Sequence, residues 1–135
     1  MQNLEFVYMF NLFLSFLFGY LIGLERERKQ KPAGVGTHIL VIAGAMTFSF
    51  VSFGFLNEQG RVIAAIISGV GFLGAGMIFK EKGEKITNLT TAATIWYSAA
   101  LGILIGLGYY LIAFIATLFE LIALNVPHLS LKNKS

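Results

Sequence analysis

The chain has 135 residues, 56% of them hydrophobic and 13% charged, with a mean hydropathy of +0.75, a balance that excludes an ordinary soluble domain. The formal net charge of +3, confined to a few short basic stretches, does not suit a nucleic-acid partner. With no cysteine, disulfides and thiolate metal sites are excluded as well.

The first apolar run, residues 6–24, matches the ~17 to 25 residues that cross the hydrocarbon core of a bilayer. Nothing basic precedes it, and a charge cluster rather than a small-residue cleavage site follows, so it reads as a permanent helix and not a signal peptide. Residues 39–56 and 62–79 predict two more spans. Residues 89–126 carry no charge except Glu120. As one helix they would measure ~57 Å against a core of ~30 Å, so they must fold back. Gly106, Leu107 and Gly108 supply the turn, and Tyr109 and Tyr110 suit the headgroup belt. The expectation is an all-α polytopic membrane protein with five transmembrane helices at about 6–24, 39–56, 62–79, 89–105 and 108–125. They form one domain over residues 1–127, with a short basic tail over 128–135 and no room for a separate soluble domain.

Five spans place alternate loops on opposite sides. Arg26, Arg28, Lys29 and Lys31, then Lys80, Lys82 and Lys85, then Lys132 and Lys134 all fall on one side, and only Arg61 on the other. The excess of positive charge predicts an outside amino terminus and a cytoplasmic carboxyl terminus.

The segment "SGVGFLGAGMIF" (residues 68–79) contains Gly69, Gly71 and Gly74 at the spacing of a dinucleotide-binding loop. That loop requires a strand, a tight turn and a helix whose amino end faces a pyrophosphate, whereas these glycines sit inside an apolar span. No cofactor is expected. Small residues instead let helix backbones approach in lipid, and Ala64, Ser68, Gly71 and Ala75 form one stripe, with Gly69, Gly74 and Gly76 beside it. Ser15, Gly19 and Gly23 repeat the device on the first span, and Ser98, Gly102 and Gly106 on the fourth. Packing within the chain is the default reading, and packing between two protomers of a homodimer is the other.

Polar residues gather at the cytoplasmic ends of the spans: Glu25, Arg26, Glu27, Thr37, His38, Thr90, Thr91 and Thr94. The amino ends of spans two and four, with Arg26 and His38, suit an anion. Glu25 and Glu27 suit a hard cation such as magnesium. The plainer readings are helix-surface pairs from Glu25 to Arg28 and Lys29, helix caps at Thr37 and Thr90, and an interfacial His38, since a metal site shows several ligands at readable spacing. Glu120 is expected to snorkel to the headgroups. Arg61 is expected to anchor its span on the outer side, and Trp96 and Tyr97 to lie at helix contacts.

Three stretches, "GYLIGLERERKQKPAGVGTHILVIAGA" (residues 19–45), "RVIAAIISGVGFLGAGMIF" (residues 61–79) and "LTTAATIWYSAALGILIGLG" (residues 89–108), together resemble the MgtC/SapB membrane domain. The resemblance implies a five-helix protein of the bacterial inner membrane, associated with growth under low magnesium. In some members it implies survival in host cells and restraint of the ATP synthase as well. It implies no catalytic activity. The family often has arginine at the position of Gly36 and glycine at that of Asn88. In virulence-linked members, asparagine and cysteine stand at the positions of Thr90 and Tyr97, and a carboxy-terminal soluble domain follows. These departures set the chain apart from the virulence role.

The functional expectation is a non-enzymatic regulator or adaptor in magnesium or ion homeostasis or stress. It would act in the lipid bilayer by packing its helices against a membrane partner, for which the resemblance offers the ATP synthase. The alternative is a small dimeric channel or carrier, perhaps for a divalent cation. An enzyme is the weakest reading, because no nucleophile set, metal cluster or phosphate loop survives in its context.

Overall fold

The computed structural model describes residues 2–55, 57–80 and 86–127. The basic tail and Lys82 and Lys85 lie outside the described residues. Five helices follow one another: α1 (Gln2–Arg28), α2 (Val35–Ser52), α3 (Gln59–Met77), α4 (Leu89–Gly106) and α5 (Tyr110–Asn125). Four are long and apolar enough to cross a membrane; α5, with 16 residues, measures ~24 Å. Their outer faces are crowded with exposed Phe, Leu and Ile, such as Phe6 and Phe13 on α1, Phe72 on α3 and Leu111 and Ile122 on α5. That much apolar surface requires a lipid solvent, in which a helix is favoured because it satisfies its own backbone.

Two turns are built by one device. Gln30 adopts φ 52°, so that its N–H bonds Glu27 O and the Lys31 N–H bonds Arg26 O, both at 2.9 Å. Gly108, at φ 82°, ends α4 in the same way, with its N–H on Ile105 O at 3.0 Å and the Tyr109 N–H on Leu104 O at 2.8 Å. Both are Schellman stops, and the second is the glycine turn expected from the sequence. Two expected boundaries shift. α2 begins at Val35 rather than 39, because Glu27 Oε1 accepts the Val35 N–H at 2.9 Å and starts the helix early. α3 stops at Met77, and Phe79–Lys80 pairs antiparallel with Ile86–Thr87 in a two-residue ribbon instead of prolonging the helix.

α2 and α4 form the centre. α1 packs on α2, α3 lies against α2 and α4, and α5 lies against α4 and α1. Ile22, Ile42, Met46, Leu101 and Ile105 make the main core, with Ala45, Ile66 and Ala99 in a second cluster under α3. Glycine decides how closely the central helices approach. A Cβ on Gly19 would stand 2.6 Å from Ile39 Cα, and one on Gly106 would stand 2.5 Å from Met46 O. Gly23 and Gly102 meet α2 the same way, so α2 is gripped between glycine seams on α1 and α4.

Consecutive helices alternate in direction, so that α2 runs parallel to α4 and α1 parallel to α5. Lys29 Nζ, just past α1, donates to Leu124 O and Asn125 Oδ1 at the end of α5, at 2.6 and 2.9 Å. At the other end Tyr110 OH donates to Asn11 Oδ1 at 2.9 Å, and Tyr8 OH lies 3.1 Å from Thr47 Oγ1. The basic α1–α2 turn therefore shares one end of the bundle with the end of α5.

The stripe on α3 departs from the expectation of packing within the chain. Ser68, Gly69, Ala75 and Gly76 are exposed, and a Cβ on Gly69, Gly71 or Gly76 would meet nothing within 4 Å. Only Gly74 meets the bundle, 3.3 Å from Ala92 O by the same measure. The reason is that α3 turns Val62, Ile66 and Val70 toward α2 and α4, which swings its smallest residues outward. Trp96 also departs: it is 49% exposed on the outside of α4, while Tyr97 meets Phe119 on α5 with ring centroids 6.2 Å apart.

Candidate functional site

At the basic end of the bundle Arg26 turns inward. It follows Ile22 and Gly23 on the buried face of α1, and it is 4% exposed. Its Nη2 donates to Thr91 Oγ1 in the first turn of α4 and, at 3.4 Å, to Pro32 O in the α1–α2 turn. Its Nε has no hydrogen-bond partner among the described residues.

His38 continues the cluster from α2. It lies on the stripe that also carries Ile42, Ala45 and Ser49, and it is fully buried. Its Nδ1 stands 2.8 Å from Ser98 Oγ on α4, and its Nε2 is without a partner. The Ala33 carbonyl lies near the ring, outside hydrogen-bonding geometry. Beside it, Thr94 Oγ1 donates to Thr91 O at 2.8 Å.

Glu120 enters from α5. Ala113, Thr117 and Glu120 form the buried stripe of that helix, and neither carboxylate oxygen of Glu120 is hydrogen-bonded. The expectation that Glu120 snorkels to the headgroups is therefore corrected: the side chain is 3% exposed, because α5 turns this stripe toward the bundle interior. Arg26 makes no direct ion pair with the carboxylate; it bonds Thr91, while Glu120 lies beside Thr94, the next turn of α4. Between α4 and α5 a crevice of about 180 Å³ is walled by Thr90, Thr94, Tyr97, Phe119, Glu120 and Leu124.

Of the eight polar residues singled out in the sequence, Arg26, His38, Thr91 and Thr94 converge here, and Thr90 stands on the crevice wall. The other three lie apart. Glu25 pairs with Lys29 at 2.9 Å along α1, the plain helix-surface contact. Glu27 is exposed and caps α2, so the chain's own carboxylate already holds the amino end at which a foreign anion would bind. Thr37 is exposed and forms no cap; the N-cap of α2 is Gly34. Among the described residues no group of three or more His, Asp or Glu is placed to hold a metal ion.

From the sequence Glu120 was placed at the headgroups rather than in the cluster, and Ser98 was read as a packing residue alone. A signal for Glu120 was present. Ala113, Ala116, Thr117 and Glu120 make a small and polar stripe along an otherwise bulky helix, the spacing of an inward face.

Comparison with known proteins adds the last observation. Residues 12–130 match the profile of the MgtC family. The chain is 46% identical over 123 residues to "Protein MgtC" of Salmonella typhimurium strain LT2, covering 90% of this chain and 53% of that protein. It is 49% identical over 113 residues to "Protein MgtC" of Brucella abortus strain 2308, covering 82% and 47%, and 41% identical over 131 residues to "Protein SrpB" of Synechococcus elongatus, covering 86% and 72%. The chain thus spans about half the length of the two MgtC relatives. No solved structure matches it.

Proposed function

The chain belongs to the MgtC family, and from that premise we propose that it is a non-enzymatic regulator or adaptor of the bacterial inner membrane, tied to magnesium or ion homeostasis or to stress. In this reading all five helices span the bilayer, the basic end of the bundle faces the cytoplasm, and the protein works by seating another transmembrane helix against α3. The observation that carries it is the outward stripe of Ala64, Ser68, Gly71 and Ala75, of which Ala64, Ser68 and Ala75 are exposed, flanked by Gly69 and Gly76; added side chains at Gly69, Gly71 and Gly76 would meet open space. A helix that faced only lipid would have no use for so bare a backbone, because small residues are what close helix–helix approach requires. A second copy of the chain is the simplest occupant, and a heterologous membrane protein such as the ATP synthase is the other.

The test is cross-linking in native membranes through cysteines placed at Ser68 and Ala75, followed by mass spectrometry. A single cross-linked species, lost in a Gly71→Leu background, supports the reading. Uniform failure to cross-link at both positions refutes it.

One observation favours a second reading, a small ion carrier or channel. The bundle buries both Arg26 and Glu120, and ionisable groups inside membrane proteins mark ion and proton pathways. Flux in sealed proteoliposomes separates the two. A saturable current abolished by Glu120→Gln supports the carrier.

A further inference from the structure

We propose that Arg26, His38 and Glu120 enclose a hydration site inside the helix bundle, in which water joins the guanidinium of α1 and the imidazole of α2 to the carboxylate of α5. Four polar atoms are deeply buried there without a partner among the described residues: Arg26 Nε, His38 Nε2 and both carboxyl oxygens of Glu120. They come from three helices that meet one face of α4: Arg26 bonds Thr91, His38 bonds Ser98, and Glu120 shares a crevice wall with Thr94, which lies between them.

The chemistry of these atoms selects the occupant. Arg26 Nε can only donate, the Glu120 carboxylate accepts, and His38 Nε2 does one or the other according to how Nδ1 shares its proton with Ser98 Oγ. An occupant must therefore both donate and accept. A metal cation would meet the guanidinium and find a single carboxyl group, too few oxygens for a hard ion, and an anion has no proton to give the accepting oxygen of Glu120. Each orphaned atom is also shut off from the surface, so its partner must lie inside the bundle. Water is neutral and amphoteric, and its usual place in a protein interior is among two to four otherwise unsatisfied polar groups.

A bridging water would join Arg26 and Glu120, which make no direct ion pair, at little cost relative to a direct bond. The α4–α5 crevice, of which Glu120 is one wall, gives water a route to the site from the side of Thr90 and Leu124.

The test is hydroxyl-radical labelling of the full chain in lipid nanodiscs, in which radiolysis of bound water oxidises adjacent side chains. His38 and Met46 are both fully buried on α2, and Met46 belongs to the apolar core. Oxidation of His38 together with protection of the intrinsically more reactive Met46 is the expected result. An unlabelled His38, or equal labelling of both, overturns the proposal. A double variant, Arg26→Leu with Glu120→Leu, removes both charges together and leaves neither unpaired. It is expected to lose His38 labelling several-fold while keeping its helicity, and undiminished labelling in a helical double variant also overturns the proposal. If that variant does not reach the membrane, the wild-type comparison of His38 with Met46 decides alone.

Discussion

Arg26 donates through Nη2 to Thr91 Oγ1, joining the last turn of α1 to the first turn of α4 across 65 positions of sequence. The bond is buried and its donor is charged. Such bonds contribute about 1.5–3 kcal/mol, and the buried partner left behind loses that and stays desolvated. Thr91→Val is therefore expected to destabilise the bundle by about that amount, and Thr91→Ser, which keeps the hydroxyl, by less. Reversible unfolding in mixed micelles, followed by circular dichroism, measures both; equal losses would mean that the methyl group rather than the hydrogen bond matters.

The glycine seams separate into two classes. Gly106→Ala drives a methyl group into the α2 backbone and is expected to cost about 1–3 kcal/mol, as overpacking does. Gly69→Ala meets open space and is expected to leave the monomer unchanged or to gain up to about 1 kcal/mol of helix propensity. The same unfolding assay ranks them. Comparable losses at both positions would contradict the outward placement of the α3 stripe.

Glu27 caps α2 through the Val35 N–H. Glu27→Ala is expected to fray the start of that helix and to cost about 0.5–2 kcal/mol, toward the low end because the side chain is exposed. Glu27→Gln keeps an acceptor and should lose little. Hydrogen exchange at Val35 and Gly36 reports the fraying directly, and unchanged protection in the alanine variant would show that the cap contributes nothing.

The chain has no native cysteine, so single substitutions report topology cleanly. With the basic end in the cytoplasm, Asn57→Cys should react with a membrane-impermeant maleimide in spheroplasts, and Gln30→Cys only after permeabilisation. The reverse pattern would turn the bundle over, and labelling of both from outside would break the alternation of spans.

Much of the helical plan was legible before any coordinates. The apolar runs became α1 to α4 within a few residues, and the stop at Gly108 follows from its local chemistry. The errors have local causes as well. The early start of α2 depends on a carboxylate eight positions upstream, and the ribbon after α3 depends on a partner strand; neither leaves a mark in hydropathy.

The polar cluster was half legible. Arg26, His38, Thr91 and Thr94 stood out because polar residues at the ends of apolar runs are conspicuous. Glu120 was misjudged because distance along a helix says how near a carboxylate lies to the headgroups, and nothing about which way it points.

What the sequence by itself determined is the solvent and, with it, the helices, because a chain this apolar dissolves in lipid, and a backbone in lipid must bond to itself. What only the tertiary structure decided is which side of each helix faces inward. Helical periodicity places residues on a common face but does not name the neighbour that face meets, and in lipid an apolar face is equally at home against hydrocarbon or against protein. That choice sent the glycines of α3 outward and brought Glu120 of α5 inward toward Arg26 of α1, and it rests on how closely α1, α2 and α4 approach through Gly19, Gly23, Gly102 and Gly106.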